Sequence, residues 1–367
     1  MTAPGQLVLR FLSSIGRPAE AELYLSLFRA ERRESFAVIA VGSEVAGVAA
    51  DALAVDLEFL SQLGLTPVVA FDSADQAAAL AAWLGPETRA EVVAGAAAAA
   101  VARQGGIALV PLDRNARGGD GGGDDLAELC AALGTRKAVL LGADGGLARA
   151  GGQPLSIVDL TAEWDELAAP GALPARDLAV LARARALIDA APHAMTVAVT
   201  SPLELLRELF TVRGAGTLVR RGATVTVHVG LGDVDRARLG ELIESAFGRR
   251  LVPAFWQRPI ERAYLAGDYR GAALVAASAE GPYLSKLAVG APARGEGIGR
   301  DLWRVLCRDY PALFWRSRPD NPIASWYQEQ CHGMVKVDPW YVYWRGLAED
   351  RIAPAIAAAR AAPVDFE

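Results

Sequence analysis

Short, uninterrupted apolar runs alternate with helix-period segments through the first half of the chain, and few architectures accommodate that alternation. Phe36-Ala-Val-Ile-Ala-Val41, Thr66-Pro-Val-Val-Ala-Phe71 and Lys137-Ala-Val-Leu-Leu141 have strand length and lack the polar alternation of a sheet with one wet face. Between and after them, residues 51–64, 124–133 and 175–191 read as helices. An α/β fold follows, with a mostly parallel sheet covered by helices on both faces. Two amphipathic segments lead into it, carried by Val8, Phe11, Leu12 and Ile15 and then by Ala21, Tyr24, Leu25 and Phe28, with a break near Gly16 and Pro18. The alanine-rich run 94–102 reads as an ordinary helix, and Arg117-Gly-Gly-Asp-Gly-Gly-Gly-Asp124 as a loop.

The pattern changes at Gly214-Ala-Gly216. Residues 217–229 read as β structure, 233–247 as a helix capped by aspartate, and strands then outnumber helices. This places one domain at residues 1–215 and a second, with a mixed sheet, at 217–367. The 367 residues suffice for two cores. A net charge of -6, with no Lys/Arg cluster interleaved with aromatics, argues against nucleic acid as a partner. Cys130, Cys307 and Cys331, with His193, His228 and His332, lack metal-ligand spacing, so no metal is expected. No apolar run has the length of a membrane span, and the first residues lack a secretory pattern; a cytoplasmic protein is the expectation.

The densest chemistry lies near the other end. Tyr283-Leu-Ser-Lys-Leu-Ala-Val289 reads as a strand, Arg294-Gly-Glu-Gly-Ile-Gly299 as a turn, and Leu302, Trp303, Val305 and Leu306 as one helix face. Backbone N–H groups at a helix N-terminus bind a diphosphate, and glycines let it approach without a Cβ in the way. Arg294, Gly295, Gly297, Gly299 and Arg300 are the candidates for that contact. Lys286, in an otherwise apolar strand, must face solvent, a partner or a site. Arg316 and Arg318 alternate along the next strand and suit either surface ion pairs or the bidentate binding of carboxylates.

These motifs together resemble the GNAT acetyltransferases, whose Arg/Gln-x-x-Gly-x-Gly turn lies between a strand and a helix. With Leu313-Phe-Trp-Arg-Ser-Arg318, Asn321-Pro-Ile-Ala-Ser-Trp-Tyr327 and Trp340-Tyr-Val-Tyr-Trp-Arg-Gly346, the segment 217–347 resembles the acetyltransferase domain of N-acetylglutamate synthases, in particular the vertebrate-like class and the bacterial synthase/kinases. The resemblance implies acetyl-CoA as cosubstrate and L-glutamate as acceptor, held by Lys286, Arg316, Arg318 and Asn321. It implies an oxyanion contact from a strand N–H, at Leu287 or Val289, and Tyr327 as the acid that protonates the departing thiolate. Packing beside Trp326 is the alternative role for Tyr327, and the residues leave the base open. Where that family carries a second asparagine, this chain has Ala324, which keeps a different acceptor amine in view; a non-catalytic sensor of arginine or acetylglutamate is the reading from another class.

Residues 1–215 resemble the amino-acid kinase domain of the same proteins, through 36–43, 56–67, 141–147 and 201–210. Phosphoryl transfer depends on cations and glycine amides around the phosphates. Yet Ala40-Val41-Gly42-Ser43 stands where the kinases have Lys-Val-Gly-Gly, and Phe71-Asp72-Ser73-Ala74-Asp75 where they have His-Gly-Ala-Gly-Pro. A further lysine is replaced near Val180, and the 87–117 region is shorter than the family's lid. The resemblance therefore implies a scaffold without kinase activity, which assembles a homodimer or homotetramer and has L-arginine as a candidate effector.

Overall fold

The computed structural model describes Leu25, Phe28, Arg29 and residues 36–46, 49–112, 125–211, 214–294 and 296–367. Most of the leading segment 7–28, the 117–124 loop and Gly295 lie outside the described residues. The chain divides into two compact units, Met1–Arg221 and Gly222–Glu367.

In the first unit, strands β1 (Val38–Val41), β2 (Val68–Phe71), β3 (Ala90–Val92), β4 (Ile107–Pro111), β5 (Lys137–Leu141), β6 (Ile157–Asp159), β7 (Thr196–Thr200) and β8 (Thr217–Arg220) form one sheet, in the order β3-β4-β2-β1-β5-β7-β8-β6. All pairings are parallel except β7 with β8. Alternate residues of β1 enter two cores, because successive strand side chains point to opposite faces. Val38 and Ala40 pack with helices α3 (Gly95–Arg103), α4 (Asp125–Leu133) and α6 (Ala175–Ala190). Ile39 and Val41 pack with α1 (Ala50–Gln62), α2 (Ala74–Ala81) and α7 (Leu205–Phe210); helix α5 (Leu160–Leu167) joins the first group. The uninterrupted apolar runs are thus strands buried on both sides, as in the expected amino-acid kinase-like layer order.

The second unit holds β9 (Val225–Val229), β10 (Ile260–Ala266), β11 (Gly271–Ala276), β12 (Tyr283–Val289), β13 (Leu313–Ser317), β14 (Gly333–Val337) and β15 (Trp340–Arg345), in the order β14-β15-β13-β12-β11-β10-β9. This mixed GNAT-type sheet is antiparallel except between β12 and β13. Helix α8 (Arg236–Phe247) covers one face, α9 (Ile298–Asp309) and α10 (Ala324–Gln330) the other, and α11 (Glu349–Ala361) packs on Phe314 and Val342.

Residues 217–229, read as one β segment opening the second domain, are two strands in different sheets. Thr217–Arg220 lies in the first sheet between β7 and β6, and the division of the chain falls between Arg221 and Gly222 rather than at the glycines of 214–216. The following helix starts later than expected, at Arg236. Its cap is Asp235, whose carboxylate accepts from the N–H groups of Ala237 (3.0 Å) and Arg238 (3.1 Å).

Burial raises the Asp56 carboxyl on α1 to about 7. A folded-state pKa above the unfolded value of 3.8 means that the native chain holds the extra proton between about 4 and 7, so stability falls as pH rises through that window. Asp56→Asn removes the slope. Relative to the parent, this variant should gain stability at pH 8 and gain little near pH 4, as read from urea midpoints at the two values.

Candidate active site

Strands β12 and β13 are paired only at Tyr283–Phe314 and Leu284–Trp315. Beyond these two rungs β12 keeps its antiparallel partner β11 and β13 keeps β15, so the sheet opens between them. An extra residue, Ser285, lies between the rungs Leu284–Val275 and Lys286–Leu274, and this bulge re-aims the side chains that follow.

The ladder fixes where the β12 amides point. Gly290 N donates to Arg270 O (3.0 Å), which makes that rung a hydrogen-bonded pair. Hydrogen-bonded and non-hydrogen-bonded pairs alternate in an antiparallel ladder. Val289 opposite Gly271 and Leu287 opposite Ala273 are therefore of the second kind, and their N–H groups point away from β11 into the opening. These are the two residues expected to supply backbone contacts.

The opening leads to the start of α9. Gly297 caps that helix with φ +78°, a left-handed conformation that side chains resist, and Gly299 packs a hypothetical Cβ at 3.6 Å from Val289. The side chain of Arg294 is turned to the end of α8, donating to Ala246 O (2.8 Å). Arg300 is exposed in the first helical turn. Gly271 permits the close approach of α9 to the sheet: a Cβ there would meet Ile298 at 2.6 Å and Leu302 at 3.0 Å. Sequence reasoning passed over this glycine, although its place at the start of an apolar strand was a signal.

Tyr327 is buried in an aromatic cluster, 5.6 Å from Trp315 and 5.5 Å from Tyr343, with Trp303 and Trp326 beside it. Burial holds its phenol well above the ordinary value and hence protonated. The packing role is evident; the acid role needs its hydroxyl to reach the opening.

The four residues expected at the acceptor are not equally placed. Arg316 and Arg318 both lie over the Trp340 ring, at 4.1 and 4.5 Å. Arg316 donates to the carbonyls of Ala359 (2.6 Å) and Pro363 (2.9 Å). Lys286 is only 6% exposed and forms an ion pair with Asp365. Burial lowers its pKa and the Asp365 carboxylate opposes that shift. Asn321 turns its carbonyl oxygen to Ile323 N (3.0 Å), shaping the entry to α10. The structure thus brings Lys286 and Arg316 together around residues 359–365, and it adds Asp365, which sequence reasoning missed. A lysine buried in a strand demanded such a carboxylate, and that was the available signal.

In the first unit, a cavity opens at the C-terminal ends of β1, β5 and β7, where the strand order reverses. Ala40, Gly42, Gly142 and Val180 line it, and its Arg176 is paired with Glu44 (3.0 Å) and Asp144. Among the described residues no cluster of His, Cys, Asp and Glu is arranged to hold a metal, and no helix is long and apolar enough to cross a membrane.

The family model of NAT, the N-acetyltransferase of N-acetylglutamate synthase, matches residues 225–361. Residues 225–361 are similar to that acetyltransferase. The acetyltransferase match covers nearly all of the second unit, including the opened strands and the Gly297 turn. Over 221 residues the chain is 36% identical to acetylglutamate kinase of Xylella fastidiosa, covering 60% of this chain and 52% of that protein. It is 32% identical over 231 residues to the mitochondrial N-acetylglutamate synthase of Mus musculus, 61% of this chain and 44% of that one. The chain spans about half the length of these curated relatives. N-acetylglutamate synthase from Neisseria gonorrhoeae, solved with coenzyme A and L-arginine, covers 91% of this chain and 100% of its own at 16% identity and a TM-score of 0.53, a likeness of fold.

Gly271→Val inserts a branched side chain where even a Cβ is crowded, and overpacking costs roughly 1–3 kcal/mol. We expect a folded variant whose α9 is displaced and whose stability, read from urea midpoints, is lowered by about 1–3 kcal/mol.

Proposed function

We propose that the chain transfers the acetyl group of acetyl-CoA to the α-amino group of L-glutamate. The observation that carries this is the opening between β12 and β13, with the Leu287 and Val289 amides directed into it and the α9 N-terminus at its end. An extended amide-bearing arm fits between separated strands by replacing their missing rungs, and a diphosphate fits the glycine-capped helix start, where N–H groups and the dipole favour an anion. The family match and the relatives named N-acetylglutamate synthase support the acceptor.

In this reading the neutral amine attacks the thioester carbon, the carbon–nitrogen bond forms, and the carbon–sulfur bond breaks. The Leu287 N–H stabilises the oxyanion, the Tyr327 phenol gives its proton to the leaving thiolate, and water takes the proton from nitrogen. Arg316 and Arg318, stacked on Trp340, offer planar guanidinium groups to the acceptor carboxylates, with Lys286 and Asn321 completing the pocket. We infer that the first unit performs no phosphoryl transfer. The cavity at its strand ends has Ala40 and Val180 where lysines would act, and Glu44 and Asp144 neutralise its Arg176. Its remaining role is assembly of a homo-oligomer, with L-arginine as the candidate effector.

Thiol release from acetyl-CoA with a panel of amino acids tests the assignment. Glutamate should give the highest kcat/KM, and N-acetylglutamate with ATP should give no phosphorylated product. Preference for another amine would replace the acceptor, as Ala324 keeps in view, and coenzyme A binding without any turnover would replace the reaction. Arg318→Ala should raise the glutamate KM at least tenfold while leaving that of acetyl-CoA within a factor of two; Gly297→Val should do the reverse.

A further inference from the structure

Two of the cations that the proposed acetyl transfer places in the acceptor pocket, Lys286 and Arg316, are already held by one stretch of the same chain. Lys286 pairs with the Asp365 carboxylate, which also accepts from Arg258 Nε (3.3 Å). The lysine lies 5.2 Å from the Phe255 ring and 5.3 Å from that of Phe366. Arg316 spends its donors on the carbonyls of Ala359 and Pro363. A carboxylate and two carbonyl oxygens thus stand against the groups expected to hold an anionic amino acid.

We propose that residues 363–367 are an intramolecular competitor for the acceptor, with Asp365 standing where the acceptor's side-chain carboxylate binds. This rests on the acetyltransferase reading above. The exchange is chemically balanced, since one carboxylate replaces another on Lys286 and the buried ammonium is never left unpaired. An acceptor without a side-chain carboxylate has nothing to offer the lysine, and leaves Asp365 in place. The same contact therefore selects the acceptor: the closed segment excludes neutral amino acids, and a dicarboxylate opens it.

The segment is held in a way that allows release. Past α11 it adds no strand to the sheet. Its backbone is fixed by one bridge, Leu251 with Phe366, by bonds from Val252 N to Asp365 O and from Glu367 N to Arg250 O, both 3.0 Å, and by side-chain bonds from Arg249 to Glu367 O and from Arg316 to Pro363 O. Val364 is 55% exposed, and the Phe366 ring lies tilted against Phe247 at the end of α8. Opening breaks these backbone bonds, the Asp365 ion pairs with Lys286 and Arg258 and the contacts of the Phe366 ring with Phe247, Lys286 and Arg249, and leaves the seven-stranded sheet intact, a local event of the kind seen in hydrogen exchange.

Hydrogen exchange on the full chain in saturating coenzyme A, with L-glutamate or L-glutamine added, tests this. Peptides carrying Val252 and Glu367 should exchange at least tenfold faster with glutamate and be unchanged with glutamine. Asp365→Asn, which weakens the competitor, should lower the glutamate KM about tenfold with kcat and the acetyl-CoA KM unchanged. Unchanged or slower exchange in glutamate, or a raised glutamate KM in the variant, overturns the proposal and makes Asp365 a fixed support for Lys286. Faster exchange without thiol release would sustain the competitor and sink acetyl transfer; thiol release from a segment that stays protected would do the opposite. If the variant fails to fold, exchange in the unaltered protein decides.

Discussion

Backbone amides in a sheet must find acceptors, and the second unit is organised around a place where they do not find them in a neighbouring strand. After Leu284 and Trp315 the parallel pair β12–β13 has no further rungs, while each strand remains fixed on its other side. An unpaired buried N–H costs about 1–3 kcal/mol, so an opening of this kind is stable only if solvent or a ligand occupies it. The acetyl-transfer chemistry proposed here uses that demand directly. In that proposal the groups lacking rungs in the sheet are the groups that bind.

Something must keep the strands from closing, and α9 does so from below. On the β11 side it sits against the bare backbone of Gly271; on the β13 side Trp303 meets Trp315 edge to face at 5.1 Å, and Trp315 in turn stacks on Tyr343. Aromatic pairs of this geometry contribute about 0.5–1.5 kcal/mol each beyond the area they bury. One helix thus spans both halves of the divided sheet, and its first turn lies at the mouth of the opening. The spacer and the proposed anion site are the same element.

Local pattern made much of this legible. The three quoted apolar runs contain β1, β2 and β5, and Gly297 at the head of α9 followed from a glycine turn between strand and helix. Features that depend on distant partners were not legible. Thr217–Arg220 has ordinary strand composition, and only its pairing with β7 and β6 assigns it to the first sheet. The Ser285 bulge changes the register by one residue, which no periodicity announces. Lys286 was recognised as a charge needing a reason, but its partner lies 79 positions on, in a short stretch without helical or strand period. For Arg316 the sequence offered surface ion pairs or carboxylate binding, and the partners the structure gives it are backbone carbonyls and the Trp340 ring.

The Lys286–Asp365 contact also orders events during synthesis. β12, β11 and α8 are complete long before residue 365 leaves the ribosome, yet until then the ammonium in the middle of β12 has no carboxylate to enter the core with. Leaving one member of a buried pair alone costs roughly 3–5 kcal/mol, comparable to the whole stability of a small domain. The emerging unit therefore keeps that edge of its core hydrated while the preceding residues are made. Its final consolidation is a step that waits on translation.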